Sequence, residues 1–182
     1  MMILIIGGSG SGKSACAEEY AAALSEDSRR YYIATMRVNN NEGQAKVERH
    51  KRMRRDKGFN TIEQPVAIEK VMDIIGLSRA TESTALLECM SNLVANEMFS
   101  GAAPKSREEV TEKIIQGINQ LSKGFKNLVV VTNNVFEDGI IYDETTMSYI
   151  KAMGIINEKL AAMADKVLEV VVGIPVVVKE GK

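Results

Sequence analysis

The chain has 182 residues, 45% of them apolar and 26% charged, enough for one globular domain with a sizeable core and too short for two ordinary ones. Its net charge of −1 excludes a protein that coats nucleic acid or anionic membrane over its whole surface. One His and two Cys exclude the usual four-ligand Cys/His zinc sites, and 5 Tyr and 4 Phe without Trp leave little for base stacking. A triad-type hydrolase is excluded too, unless His50 is its base.

Met2 to Ile6 reads as a buried strand. The N-terminus lacks the basic stretch and length of a signal peptide, and no apolar run approaches the roughly 20 residues that span a bilayer. A cytoplasmic chain without membrane insertion is therefore expected. Gly7-Gly8-Ser9-Gly10-Ser11-Gly12-Lys13-Ser14 comes next and fits G-x-x-x-x-G-K-[ST], with a helix from Lys13 to Ser25 behind it. The glycines let successive backbone N–H groups turn toward one anion, and the helix adds its positive end. Lys13 is expected to reach the β- and γ-phosphates, and the Ser14 hydroxyl to be a Mg²⁺ ligand. The bland alternative is a Gly/Ser turn that binds nothing, and the placement between strand and helix argues against it. The motif predicts a purine nucleoside triphosphate site but does not choose among kinase, GTPase, ATPase and nucleotidyltransferase.

Tyr31 to Ala34 reads as a second strand, followed by the polar loop Asn39-Asn40-Asn41. Residues 46–57 then hold seven Lys/Arg against two acids, a net of +5 that leaves −6 for the rest of the chain. Val47, His50 and Arg54 are spaced to share a helix face. For such a segment a solvated basic face is the ordinary reading, and a nucleic-acid patch has little aromatic support. The chemical reading is a covalent one. Neighbouring cations keep an imidazole neutral and nucleophilic, and they also hold a triphosphate against it. His50 is thus a candidate site for a phosphoryl or nucleotidyl intermediate.

A helix is expected over Val66 to Leu77, and a strand over Ala85 to Leu87 with Glu88 at its end. Glu88 is the candidate acidic partner of a bound metal, the alternative being an exposed carboxylate at a strand end. Cys16 and Cys89 read as reduced core thiols, not as a secreted disulfide framework. After a helix over Glu108 to Ser122, the strand Leu128 to Val131 runs into Thr132-Asn133-Asn134-Val135. That stretch lacks the guanine-reading Asn-Lys-x-Asp, which weakens a signature GTPase. A helix over Glu144 to Ala164 and a strand over Val167 to Val172 follow, then Val176 to Val178, an edge strand because of Pro175. This alternation predicts one α/β domain over residues 1–182, a mainly parallel sheet with helices on both faces.

The ordered set of motifs resembles one family over residues 1 to about 179. It comprises the opening strand and loop, Tyr32-Ile33-Ala34-Thr35, Arg49-His50-Lys51 before Thr61-Ile62-Glu63, and Leu86-Leu87-Glu88-Cys89 with Asn92 and Asn96. Val130-Val131-Thr132-Asn133, Asn157-Glu158-Lys159-Leu160-Ala161 with Ala164-Asp165, and Gly173-Ile174-Pro175 with Lys179 complete it. The family is the bifunctional adenosylcobinamide kinase / adenosylcobinamide-phosphate guanylyltransferase of cobalamin biosynthesis. The resemblance implies phosphorylation of adenosylcobinamide by ATP or GTP, then transfer of GMP from GTP to that phosphate through a guanylyl-histidine at the position of His50. It implies nucleotide contacts at Gly7, Gly8, Ser9, Gly10, Ser11, Gly12, Lys13 and Ser14, at Ala34, Thr35 and Met36, at Lys51, Arg52, Met53 and Arg54, and at Glu63 and Glu88. It also implies a homotrimer with the active site near a subunit boundary. Departures cluster in the C-terminal third, where Asn134 replaces the usual Glu, Ile141-Tyr142 a Val-Pro, Lys151-Ala152 an Arg-Asp, and Ile155 a common Arg. A guanylyltransferase without the kinase step, and a nucleotide-regulated binding module without catalysis, are the alternatives.

Overall fold

The computed structural model describes residues 1–26, 28–37, 57–134, 140 and 142–181. Its strands are β1 (Met2–Gly7), β2 (Arg30–Ala34), β3 (Phe59–Glu63), β4 (Thr84–Glu88), β5 (Asn127–Asn133), β6 (Lys166–Val171) and β7 (Ile174–Glu180). They form one sheet in the order β3-β2-β4-β5-β1-β6-β7. The first six run parallel, and β7 returns antiparallel to β6 at the edge. The helices are α1 (Lys13–Ser25), α2 (Val71–Ile75), α3 (Leu77–Ala80), α4 (Met90–Phe99), α5 (Arg107–Gly124) and α6 (Glu144–Met163), with a 3₁₀ turn over Ile68–Lys70.

Side-chain alternation along the strands builds two apolar layers. Leu4, Ile33, Leu87, Leu128 and Val130 pack on one face against Leu93 of α4, Ile114 of α5 and Ile156 and Leu160 of α6. Ile3, Ile5, Leu86, Val129, Val131 and Leu168 pack on the other against Cys16, Ala17 and Ala21 of α1. Strands buried on both faces read as unbroken apolar runs, which is why β1, β4 and β5 are legible without alternation. The long helices start on ordinary caps. Ser106 Oγ accepts from Glu109 N at 3.2 Å, and Asp143 Oδ1 accepts from Thr146 N at 3.0 Å.

The structure differs from the sequence reading in three elements. The helix expected over Val66 to Leu77 is a 3₁₀ turn and two short helices, interrupted at Gly76, whose φ of 80° lies in the left-handed region. The strand β3 differs from the sequence reading because Phe59-Asn60-Thr61-Ile62-Glu63 lies largely exposed at the sheet edge and has no apolar run to betray it. Helix α4 was not expected either, since Ser91, Asn92 and Asn96 are poor helix formers and packing of Leu93, Val94 and Met98 decides the matter. Both cysteines are free, Cys16 buried and Cys89 partly so. Among the described residues no helix is long and apolar enough to cross a membrane.

Leu93 is fully buried between α4 and the sheet. Leu93→Ala is expected to cost about 2–5 kcal/mol of unfolding free energy, read from the midpoint of a urea titration at unchanged slope.

Candidate nucleotide site at the strand tips

In a parallel sheet the C-terminal strand ends share one edge, and a ligand crevice opens there. β1 ends at Gly7, and the chain turns through Gly8 to Gly12 into α1. Gly12 has φ 91°, and a Cβ on it would lie 3.3 Å from Gly173 Cα, so conformation and space both demand glycine. The turn between β6 and β7 buttresses the loop, with Gly173 N donating to Ser11 O at 2.8 Å. No side chain caps the start of α1 and its first turn carries no acid. Its leading N–H groups therefore remain for an anion. The Ser11 hydroxyl is buried with no hydrogen-bond partner. Lys13 Nζ donates to Gly8 O at 3.0 Å, holding its ammonium over the loop.

Glu88 at the tip of β4 joins three elements. Its Oε1 accepts from Ser14 Oγ on α1, and its Oε2 accepts from Tyr32 Oη on β2 at 2.9 Å. Thr35 is fastened to the same strand tip. Thr35 N donates to Glu88 O at 3.0 Å, Cys89 N donates to Thr35 Oγ1 at 2.8 Å, and Thr35 Oγ1 donates to Cys89 O at 2.8 Å. Asn96 on α4 donates from Nδ2 to Thr35 O at 2.7 Å and to Pro65 O at 3.0 Å. One carboxamide thus ties the chain leaving β2 to the chain leaving β3. Glu63 ends β3 in register with Ala34, which is in turn in register with Glu88.

The tips of β4 and β5 are joined by a second polar network. Asn133 Nδ2 donates to Ser91 Oγ at 2.8 Å, which lies 3.0 Å from Cys89 Sγ. Thr132 Oγ1 donates to Asn157 Oδ1 at 2.6 Å, and Asn157 Nδ2 donates to Asn133 O at 3.2 Å. Thr132 and Asn133 are thereby committed to holding α4 and α6 against β5. Burial raises the pKa of the Cys89 thiol, against the opposing hydrogen bond from Ser91. Burial pushes Tyr149 up to about 12, with Cys89 a lesser cause. Neither group ionises near neutrality.

The structure brings together Gly7, Gly8, Ser9, Gly10, Ser11, Gly12, Lys13, Ser14 and Glu88, and it sets Ala34 and Thr35 beside Glu88. Met36 follows Thr35 half-buried, and Glu63 lies at the far end of the row, beyond β2. His50, Lys51, Arg52, Met53 and Arg54 lie outside the described residues. Sequence reasoning assigned no role to the Tyr32 hydroxyl or to Asn96. Both act across the fold, and only their place in the quoted motifs singled them out.

Fold and site define a nucleotide-binding α/β protein of the phosphate-loop class. A similar fold occurs in the flagellar accessory protein FlaH from Methanocaldococcus jannaschii, at TM-score 0.53 and 13% identity over 99% of this chain and 78% of that one. The family model described as "Cobinamide kinase / cobinamide phosphate guanyltransferase" matches residues 3–178. The chain belongs to that family of enzymes. It is 31% identical to the bifunctional adenosylcobalamin biosynthesis protein CobU of Escherichia coli, over 98% of this chain and 100% of the relative. Its identity to the protein of the same name from Salmonella typhimurium is 29%, with the same coverage of each.

The two hydrogen bonds of Asn96 stabilise by about 1 kcal/mol each, so their loss frees both segments beside the phosphate loop. Asn96→Ala is expected to weaken triphosphate binding by about tenfold, measured by titration calorimetry against the parent protein.

Proposed function

We propose that the chain phosphorylates adenosylcobinamide with ATP or GTP, then transfers GMP from GTP to the new phosphate through a guanylyl-histidine at His50. The observation that carries this reading is the convergence of Lys13, Ser14 and a Tyr32-held Glu88 on the uncapped start of α1. The family membership supplies the corrinoid acceptor and the two reactions.

In the kinase step the acceptor hydroxyl oxygen bonds to the γ-phosphorus and its proton passes to solvent, while the bridging oxygen leaves with the nucleoside diphosphate. Backbone N–H groups of the loop and of the start of α1 hold the phosphates, and Lys13 exchanges its bond to Gly8 O for a phosphate oxygen as charge moves outward. In the second step an imidazole nitrogen of His50 bonds to the α-phosphorus of GTP, and pyrophosphate leaves with the electron pair. The cobinamide phosphate then attacks that phosphorus and breaks the P–N bond, giving adenosyl-GDP-cobinamide. Ala34, Thr35, Met36, Glu63 and residues 51–54 are assigned to nucleotide contacts by the family resemblance. Thr35 has the rigidity such a contact needs, since Glu88, Cys89 and Asn96 hold it on every polar atom.

The Ser14 hydroxyl and the Glu88 carboxylate are in direct contact, and two hard oxygens so placed fit Mg²⁺. Among the described residues no three His, Cys, Asp or Glu side chains gather around a metal position. The pair therefore suits a cation that takes its other ligands from phosphate and water, where it neutralises phosphate charge.

Self-association as a homotrimer is part of the same reading. The edge strand β7 exposes Ile174, Val176, Val177 and Val178, between 47% and 63% accessible, beside an 84%-exposed Val172. An apolar edge of this kind is a template for association. Its hairpin also contacts Ser11, which sets the surface next to the phosphate loop. The two free cysteines agree with a cytoplasmic setting.

Incubation with GTP labelled at the α-phosphate, followed by denaturation, is expected to leave label on the protein that is stable to alkali and lost in acid. His50→Ala is expected to abolish it, and label that persists in this variant would remove His50 from the mechanism. Adenosylcobinamide with γ-labelled ATP or GTP is expected to become phosphorylated, at a rate at least a hundredfold lower in Lys13→Ala (about 3 kcal/mol of transition-state charge stabilisation). Guanylylation without phosphorylation would assign the guanylyltransferase alone. The double variant Val176→Asp, Val178→Asp is expected to sediment as a monomer where the parent sediments as a trimer.

A further inference from the structure

We infer that Asn133 Oδ1 accepts a hydrogen bond from the acceptor hydroxyl and aims its oxygen at the γ-phosphorus; the inference rests on the kinase step proposed above. Asn133 ends β5, which lies between the phosphate-loop strand β1 and the Glu88 strand β4. It stands in register with Gly7, where the loop begins, and the next residue donates from Asn134 N to Gly7 O at 3.2 Å. By strand alternation Asn133 follows Val129 and Val131 onto the face covered by α1, where Cys89 also packs. Glu88 raises and Lys13 lowers the pKa of the Cys89 thiol, so the carboxylate, the loop lysine and this polar network share one crevice.

Only half of the Asn133 amide is used in holding α4. Its Nδ2 donates to Ser91 Oγ at 2.8 Å, and the single hydroxyl proton of Ser91 faces Cys89 Sγ, 3.0 Å away. Among the described residues Asn133 Oδ1 is buried without a partner. A buried acceptor left unmatched costs stability, and its complement is a donor that a ligand brings. A phosphate oxygen offers no proton at neutral pH, whereas a hydroxyl does. The loop's own buried orphan is of the other kind. Ser11 Oγ lies 2.6 Å from where a Cβ on Gly7 would sit, and it carries a proton to give to phosphate. Around Gly7, a donor thus awaits the triphosphate and an acceptor awaits the hydroxyl.

With its proton directed at Oδ1, the hydroxyl keeps a lone pair for the γ-phosphorus. The new O–P bond forms as the bond to the bridging oxygen breaks; the nucleoside diphosphate leaves with the electron pair, and the hydroxyl proton passes to solvent. A carboxamide takes no proton itself, so its part is orientation. In the guanylyl step the nucleophile is a phosphate monoester, whose second pKa is about 6. It attacks without a proton to offer, and Asn133 has no part there.

The test compares Asn133→Leu, which removes the acceptor at similar volume, with Asn133→Asp, which keeps an acceptor oxygen. Binding of adenosylcobinamide is set against binding of an analogue with hydrogen in place of the acceptor hydroxyl, both with ADP present. The parent is expected to prefer the hydroxyl about three- to tenfold, Asn133→Asp to keep that preference and Asn133→Leu to lose it. Phosphoryl transfer at saturating substrate is expected to fall at least tenfold in Asn133→Leu, while GTP affinity and labelling from α-labelled GTP stay within about threefold. Asn133→Ala carries the same measurements should Asn133→Leu not fold. A preference that survives Asn133→Leu, or that Asn133→Asp also loses, would overturn the inference, as would equal losses in phosphoryl transfer and labelling. A parent protein that labels itself from GTP but does not phosphorylate adenosylcobinamide overturns the kinase step and the inference with it. Phosphorylation by the parent at a rate unchanged in Asn133→Leu overturns the inference alone.

Discussion

The architecture of the site depends on one carboxylate at the end of a buried strand. β4 lies inside the sheet between β2 and β5, so the residue that ends it meets the elements on either side. Glu88 uses one oxygen for the hydroxyl that opens α1 and the other for a phenol from β2. Charge-assisted hydrogen bonds of this kind are stronger than neutral ones. They fix the phosphate loop, the first helix and the second strand to one point. The loop itself supplies little rigidity, because its glycines admit many conformations. What orders it is its neighbours: Glu88 through Ser14 on one side, and the β6–β7 turn through Ser11 on the other.

The same logic repeats outward from that point. Thr35 is bonded to Glu88 and Cys89, Asn96 bonds Thr35 and Pro65, and Glu97 Oε1 accepts from Ala67 N at 2.6 Å. Helix α4 thus holds the chain that leaves β3 as well as the chain that leaves β2. Glu97 is itself buried, and Lys113 Nζ lies 2.8 Å from its Oε2. Buried acids on α1 and α4 are each matched by a lysine from another segment. Such pairs add little net stability, since desolvation offsets their attraction, but breaking one leaves a charge stranded. They serve to fix which segment meets which helix.

A division of labour follows from this frame. The tips of β1 and β4 and the start of α1 are tied together through Glu88. The β4–β5 network of Ser91, Thr132, Asn133 and Asn157 packs helices through hydrogen bonds among its own members, with Asn133 Oδ1 left buried and, among the described residues, without a partner.

What could be read from the sequence was whatever is decided over short stretches of chain. The phosphate loop declares itself because an anion demands glycines, a lysine and a hydroxyl at consecutive positions. Glu88 was legible because an apolar strand ended on an acid, and α1 was bounded correctly because its glycine-rich start and helix formers are local signals. The charge arithmetic isolated the segment around His50 for the same reason. Tertiary structure alone decided the rest. β3 exists because the edge of β2 offers a ladder to a half-polar pentapeptide, and α4 because the sheet buries Leu93, Val94 and Met98. The Tyr32–Glu88, Asn96–Thr35 and Glu18–Lys57 pairs join residues 56, 61 and 39 positions apart, a separation at which no local pattern marks a partner. Each is set by burial, since a polar group carried into the interior must find its complement wherever the fold brings one.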